Sequence, residues 1–379
     1  MRVVHIVHGK ANPHGHNGIS RVVYHLNKEE KLLGLESEIW AVIDGAKKHY
    51  SHVRDPFVTI ECFPRVRIPF GHQPIIEHLI AQRKKIDLVH FHMIWLYDKN
   101  IIAKALKRAG VPFIITAHGT YLSPHANKGR RKLARLIYEC DYLNSADEIH
   151  AITSDEAIKL ADYGYHGKTF LAPNGVALDE IPARPRSDAN PSLDGTQKAR
   201  FIWIGVKRRD KNLPSLIRGV ALLSNSIRSE FLISLIGPDY KGNERRYRAL
   251  ASKLGVEANF EFQGPLYGRD KYDALERAEV FILPSFSEVY SLAMLDAMAC
   301  GRPCLASVTC GYGPYSKDNF FVPFEPTPEG IASGITEMLR RRHEWSTMGR
   351  NARAVIERDL NWPAIARTMV KNYARIIAQ

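Results

Sequence analysis

With 379 residues, 45% of them hydrophobic and 25% charged, the chain is too long for one ordinary domain and too apolar to be disordered throughout. No apolar run approaches the roughly 18 residues that a membrane-spanning helix needs, and five cysteines without a CxxC pair fit a reducing, cytoplasmic compartment. The net charge of +13, from 53 Lys/Arg against 40 Asp/Glu, leaves nucleic acid, anionic lipid and phosphorylated substrates open as partner classes.

The first apolar run, Val3–Val7, is too short for a secretory core and predicts a buried strand. Asn17-Gly18-Ile19-Ser20-Arg21 follows it and opens a helix over Ile19–Leu33; Gly18 would let the backbone approach an anion at that helix start. The loop ahead is rich in imidazole, but His8, His14 and His16 have no fourth ligand at a familiar metal spacing. Further strands are predicted at Glu38–Ile43, Leu88–His92, Phe113–Thr116 and Ile149–Thr153. Helices are predicted at Asn100–Ala109, Arg130–Leu143 and Asp155–Tyr163. Strands apolar throughout and separated by helices indicate βαβ units and a parallel sheet. His90 and His92 are placed on alternate faces of their strand and read as structural. Thr116-Ala117-His118-Gly119-Thr120 closes a strand with His118 at the sheet's carboxyl edge.

Ile181–Gly195 is polar, proline-rich and without periodicity, and reads as a linker. The alternation then restarts. Strands are predicted at Phe201–Ile204, Phe231–Ile236, Phe260–Phe262, Val280–Leu283 and Pro303–Ala306, with helices at Leu213–Leu223, Glu244–Leu254, Lys271–Ala278 and Leu292–Cys300. Two helices, Trp345–Arg358 and Trp362–Ile377, end the chain. The expectation is an α/β protein of two doubly wound parallel-sheet domains, with ligands bound at the carboxyl ends of the strands and the cleft between the domains as the first place to look.

Phe281–Pro303 carries the most chemistry. A strand ends at Pro284, a loop holds Ser285–Ser291 and a helix begins near Leu292, so Glu288 lies at a strand mouth and the amides of Tyr290, Ser291 and Leu292 at a helix start. On these residues alone, an anion site and a plainly capped helix with Asp296 as a surface acid are both open. The spacing Glu288–seven residues–Asp296, followed by Ala-Met-Ala-Cys-Gly-Arg-Pro, resembles the EX7E signature of family 4 (group 1) retaining glycosyltransferases of the GT-B fold. The match departs at Val289 and Ser291, where the family has glycines, and at Asp296, where it has a second Glu. Asn17-Gly18-x-x-Arg21, Thr116-Ala117-His118-Gly119, Pro173-Asn174-Gly175 and Gly205–Lys211 resemble the family's other motifs in order and spacing, with Val206 at the position of its arginine.

The resemblance implies two Rossmann-like domains facing across a cleft: 1–180 with the C-terminal helix 361–379 on the acceptor side, and 181–360 binding the donor. A sugar would pass with retention from a UDP- or GDP-sugar to a saccharide or lipid-linked saccharide in cell-surface polysaccharide synthesis, such as lipopolysaccharide. Glu288 would hold donor sugar hydroxyls, Asp296 the ribose, and His118 the sugar near the reacting carbon, donating a hydrogen bond or acting as a base. Lys211 would neutralise the diphosphate with Lys207 or Arg208 beside it, Gly18, Gly205 and the Tyr290–Leu292 amides would approach the phosphates, and Pro265 and Leu266 would touch the base. No cofactor or divalent metal is expected, and no Asp-x-Asp triplet occurs. Aromatic residues at His90–Tyr97 and His118–His125 suggest sugar stacking in an acceptor cleft. The basic run Lys128–Arg135 fits docking on an anionic inner leaflet. Alternatives are a GT-B sugar-nucleotide epimerase and a catalytically silent binding subunit. Nucleic acid is set aside, because the basic clusters lack interleaved aromatics.

Overall fold

Short runs rich in Val, Ile and Phe form two sheets, and the computed structural model describes residues 1–9, 18–43, 57–65, 74–95, 97–122, 129–181 and 198–379. The first sheet contains β1 (Arg2–His8), β2 (Glu36–Ile43), β3 (Ile60–Pro64), β4 (Leu88–His92), β5 (Phe113–Thr116), β6 (Glu148–Ala151) and β7 (Thr169–Leu171), in the order β3-β2-β1-β4-β5-β6-β7. The second contains β8 (Ala199–Ile204), β9 (Phe231–Ile236), β10 (Phe260–Gln263), β11 (Val280–Leu283), β12 (Cys304–Ser307) and β13 (Phe321–Phe324), in the order β10-β9-β8-β11-β12-β13. Every pairing is parallel. The order reverses beside β1 in one sheet and beside β8 in the other, the topological switch points at which doubly wound sheets bind ligands.

The chain divides into two units, Met1–Gly175 with Trp362–Gln379, and Val176–Asn361. In the first, β4, β5 and β6 are buried along their whole length, with Phe91, Phe113, Ile115 and Ile149 at 0–1% exposure. The helix Trp362–Ile377 packs on this unit. Arg375 grips Glu148 with bonds of 2.5 and 2.7 Å, Tyr373 reaches His90 Nδ1 at 2.9 Å, and Trp362 stacks on His25 at 5.8 Å. In the second unit Phe201, Trp203, Phe231 and Ile282 form the centre of the core. Gly237 has φ +141°, and a Cβ there would lie 1.9 Å from the Gly205 carbonyl oxygen, so only glycine lets the ends of β8 and β9 approach this closely.

Among the described residues, three strands and three helices are absent from the sequence reading. The strands β3, β7 and β13 are all sheet edges, short and half-exposed, so their pattern is not apolar throughout; Pro323 is tolerated in β13 because an edge strand need not donate on both sides. The helices are Pro74–Gln82, the single turn Asn225–Ser229 and Pro328–Arg340. The single helix expected over Arg130–Leu143 is a helix broken by a π-helical turn at Arg135–Glu139. The expected linker beyond Ile181, with His14, His16, Asn17, His125 and Lys128, lies outside the described residues.

Candidate active site

The loop that leaves β8 makes a 3-10 turn at Arg209–Lys211 and ends at Asn212, which adopts φ +57° and donates from Nδ2 to the Pro326 carbonyl at 2.9 Å. This turn aims Lys211 across the switch point at the loop that leaves β11. Lys211 Nζ meets Glu288 Oε1 at 2.5 Å, and Ser285 Oγ donates to the same oxygen at 3.0 Å. The Phe286 amide donates to the Asp210 carbonyl and the Glu288 amide to the Thr309 carbonyl, so the loops after β8, β11 and β12 are fastened together around the pair. Both side chains keep a solvent-facing fraction, 19% for Lys211 and 14% for Glu288. A cation and a carboxylate that neutralise each other at a sheet's carboxyl edge can exchange partners with an anion and a hydroxyl-bearing ligand.

The helix after Glu288 spans Leu292–Ala299 and is capped by Ser291, whose Oγ accepts from the Met294 amide. Ser291 and Tyr290 are buried. The Tyr290 ring packs on Tyr312 at 4.5 Å between centroids, and Tyr312 OH donates to the Ser291 carbonyl at 3.0 Å. Their side chains are therefore committed inside the fold, and what they and half-buried Leu292 can offer a ligand is backbone. Asp296 is not a surface acid: its side chain is 3% exposed, with Lys271 Nζ at 2.7 Å and Tyr272 OH at 3.4 Å. Lys271 and Tyr272 had no place in the motif reading, because they lie 25 and 24 residues away at the start of another helix.

Lys207 departs from its expected role. Its ammonium is fully buried, donating to the carbonyls of Gly237 and Gln263 and pairing with Glu244 at 3.0 Å. Lys207 bridges to Asp239 as a continuation of the sheet, which turns the side chain inward and makes it a strap across the ends of β8, β9 and β10. Arg208 is exposed and chelates Asp210 at 3.0 and 2.7 Å. Gly205 is set by packing on the Trp203 ring, which a Cβ would approach to 2.9 Å. Pro265 is exposed and Leu266 half-buried in the loop after β10.

In the first unit Gly18 is the first residue of the helix Gly18–Leu32. His118 follows β5 with φ +52°, in a turn held by Glu156: Oε1 accepts from the Gly119 amide at 2.8 Å and Oε2 from the Ile152 amide at 2.6 Å. Burial raises the Glu156 carboxyl to about 7. His118 lines a recess with His92, His90, Thr116, Asn174 and Trp362. His90 and His92 share one face of β4, not alternate faces, because residues two apart on a strand point the same way; their rings lie 4.1 Å apart. Burial, and then the neighbouring imidazoles, hold both well below the usual histidine range, and His150 is lowered by burial to about 4. Among the described residues, His5, His90 and His92 are one group close enough to share a metal ion, yet each of their ring nitrogens already has a hydrogen-bond partner. His8 pairs with Asp98 at 2.8 Å, an interaction not legible in the sequence.

Comparison with known proteins decides the family. The description "Glycosyl transferases group 1" matches residues 187–355, and "Glycosyltransferase Family 4" matches residues 16–180. The chain belongs to the group 1 glycosyltransferases. A D-inositol 3-phosphate glycosyltransferase of Nocardiopsis dassonvillei is 31% identical over 68% of this chain, and the chain spans 59% of that relative's length. The protein of the same name from Streptomyces avermitilis is 27% identical, with 61% of its length spanned. The fold of this group 1 glycosyltransferase is GT-B, as expected from its motifs. Sucrose-phosphate synthase of Thermosynechococcus elongatus superposes with a TM-score of 0.78 at 19% identity, covering 100% of this chain and 99% of that one. Anabaena HepE in complex with UDP superposes with a TM-score of 0.79 at 16% identity, covering 99% and 100%.

Proposed function

We propose that this group 1 glycosyltransferase transfers a sugar, with retention, from a nucleoside diphosphate sugar, and that Lys211 and Glu288 form the centre of the donor site. The observation that carries this reading is their ion pair at the switch point of the second sheet. A diphosphate entering there would take Lys211, and the sugar hydroxyls would take the released Glu288 carboxylate. As the glycosidic bond breaks, negative charge grows on the leaving diphosphate and a fixed ammonium beside it lowers the barrier. Arg208 and Arg209 add exposed positive charge in place of the arginine that Val206 replaces, and Lys207 is dropped from this role. The Tyr290–Leu292 amides would serve the phosphates through the helix start. Asp296 would hold the ribose only if Lys271 yields one of its oxygens. Pro265 and Leu266 would line the base. HepE, a GT-B structure, was solved with UDP and with UDP-glucose, which favours a UDP-sugar as the first donor to test.

No divalent metal is required in this reading, because Lys211 supplies the positive charge that a metal would bring. A lipid-linked saccharide at an anionic membrane is the acceptor we favour. Leu133, Leu136 and Ile137 are 58–67% exposed on the helix that includes the π turn, with exposed Lys132 beside them, a basic and apolar face suited to a bilayer surface. The names of the curated relatives favour a second acceptor, a soluble inositol phosphate. Thermal-shift screening against UDP-, GDP-, ADP- and dTDP-sugars, followed by turnover with each acceptor class in EDTA, tests the reading; transfer that collapses in EDTA and returns with Mg²⁺ would overturn metal independence.

A further inference from the structure

A line of buried hydrogen bonds leads away from His118. His118 Nε2 meets His92 Nδ1 at 3.0 Å, His92 Nε2 meets His5 Nδ1 at 2.9 Å, and His5 Nε2 meets Glu30 Oε2 at 2.7 Å. His5, Glu30 and His92 are at most 1% exposed. The line has a direction, which is fixed at Glu30. Asn27 Nδ2 donates to Ser37 Oγ at 2.7 Å, so the Ser37 hydroxyl proton points onward to Glu30 Oε2 at 2.6 Å, while Tyr373 OH donates to Glu30 Oε1 at 3.0 Å. Glu30 thus accepts on both oxygens, and a carboxylate has no proton to offer.

We infer that Glu30, His5 and His92 are positioning residues that lock His118 into one tautomer, with its proton on Nε2 and Nδ1 as the acceptor nitrogen. Glu30 accepts, so a neutral His5 carries its proton on Nε2 and accepts at Nδ1. His92 then donates from Nε2 and accepts at Nδ1, and His118 must donate from Nε2. Each step follows because a neutral imidazole has one donor and one acceptor nitrogen, and the bond made by one sets the other. The depressed basicity of His92 keeps it neutral, as the sequence of bonds requires. This goes beyond the proposed donor site and rests on the family resemblance, which places His118 at the sugar near the reacting carbon. There His118 accepts a hydrogen bond from a hydroxyl through Nδ1 and does not donate one, which selects between the two roles the sequence left open.

Long-range ¹H–¹⁵N correlation spectra of the full chain with ¹⁵N-labelled histidine read the tautomer directly, without donor or turnover. His118 is expected as the Nε2–H form alone; the Nδ1–H form, or a mixture of the two, overturns the inference. In Glu30→Leu the lock is lost, so a mixture is expected, with kcat lowered about tenfold or more and donor KM nearly unchanged. A folded Glu30→Leu protein whose His118 stays entirely Nε2–H overturns control by Glu30. If that variant does not fold, the wild-type spectrum still decides the tautomer. Full turnover in His118→Ala with the Nε2–H form intact in the wild type would remove His118 from the sugar and leave the lock standing.

Discussion

Lys211 and Glu288 lie 77 residues apart in sequence and meet at 2.5 Å at the carboxyl edge of the second sheet. In the ligand-free protein each is the other's counter-ion, so removing either one frees the other. Lys211→Ala is expected to lower kcat/KM by about 100-fold or more, the scale of losing one electrostatic contact in a transition state. Glu288→Gln is expected to abolish most transfer and yet to tighten UDP binding about fivefold (~1 kcal/mol), because the ammonium no longer has to leave a carboxylate. Calorimetry with UDP separates the two variants; weaker UDP binding in Glu288→Gln would contradict the exchange of partners.

Lys207 is expected to behave as a core residue. Lys207→Met takes the buried ammonium away from Glu244 Oε2 and from the Gly237 and Gln263 carbonyls, leaving Glu244 only Arg248, and should cost about 3 kcal/mol of stability. UDP affinity, measured well below the lowered Tm, should stay within about twofold of the wild type. A large loss of UDP affinity at unchanged Tm would return Lys207 to the donor site.

His150 gives a pH prediction. Burial lowers it to about 4 in the fold, where it donates to the Ala172 carbonyl at 2.8 Å, against an unfolded value near 6.5. Below about 6.5 the unfolded chain binds a proton that the fold refuses, so this contribution is present above 6.5 and is lost as pH falls toward 4. Glu156, raised to about 7, works in the opposite sense, gaining stability between about 7 and 4.5. Urea unfolding of wild type and His150→Gln isolates the histidine. The wild type should lose about 2.5 kcal/mol more than the variant between pH 7 and 4.5. Parallel pH curves for the two proteins would count against it.

The exposed apolar face at Leu133, Leu136 and Ile137 predicts binding to anionic vesicles at low salt. Leu136→Asp with Ile137→Asp should reduce co-sedimentation at least about tenfold while leaving transfer to a soluble acceptor intact. Equal sedimentation of both proteins would return the face to ordinary surface.

Apolar runs bounded by turn residues were enough to place ten of the thirteen strands among the described residues and the parallel arrangement, since buried parallel strands are apolar on both faces. Motif spacing named Lys211, Glu288, Asp296 and His118 as candidates, three of them in loops that leave a strand and Asp296 in the helix that follows one. The sequence could not show where a side chain finds its partner. Lys207 and Lys211 are four positions apart in one basic run, yet one is wholly buried and the other faces the site, because only the first continues the sheet. Lys271 reaches Asp296 from a separate helix. Glu30, His5, His92 and His118 come from four segments, with separations of 25, 87 and 26 residues, and only the stacking of β1, β4 and β5 beside the first helix brings them into line. Periodicity tells which face of a strand a residue occupies; strand order and helix packing decide what lies opposite it, and so which charges are spent inside the fold and which are left for a ligand.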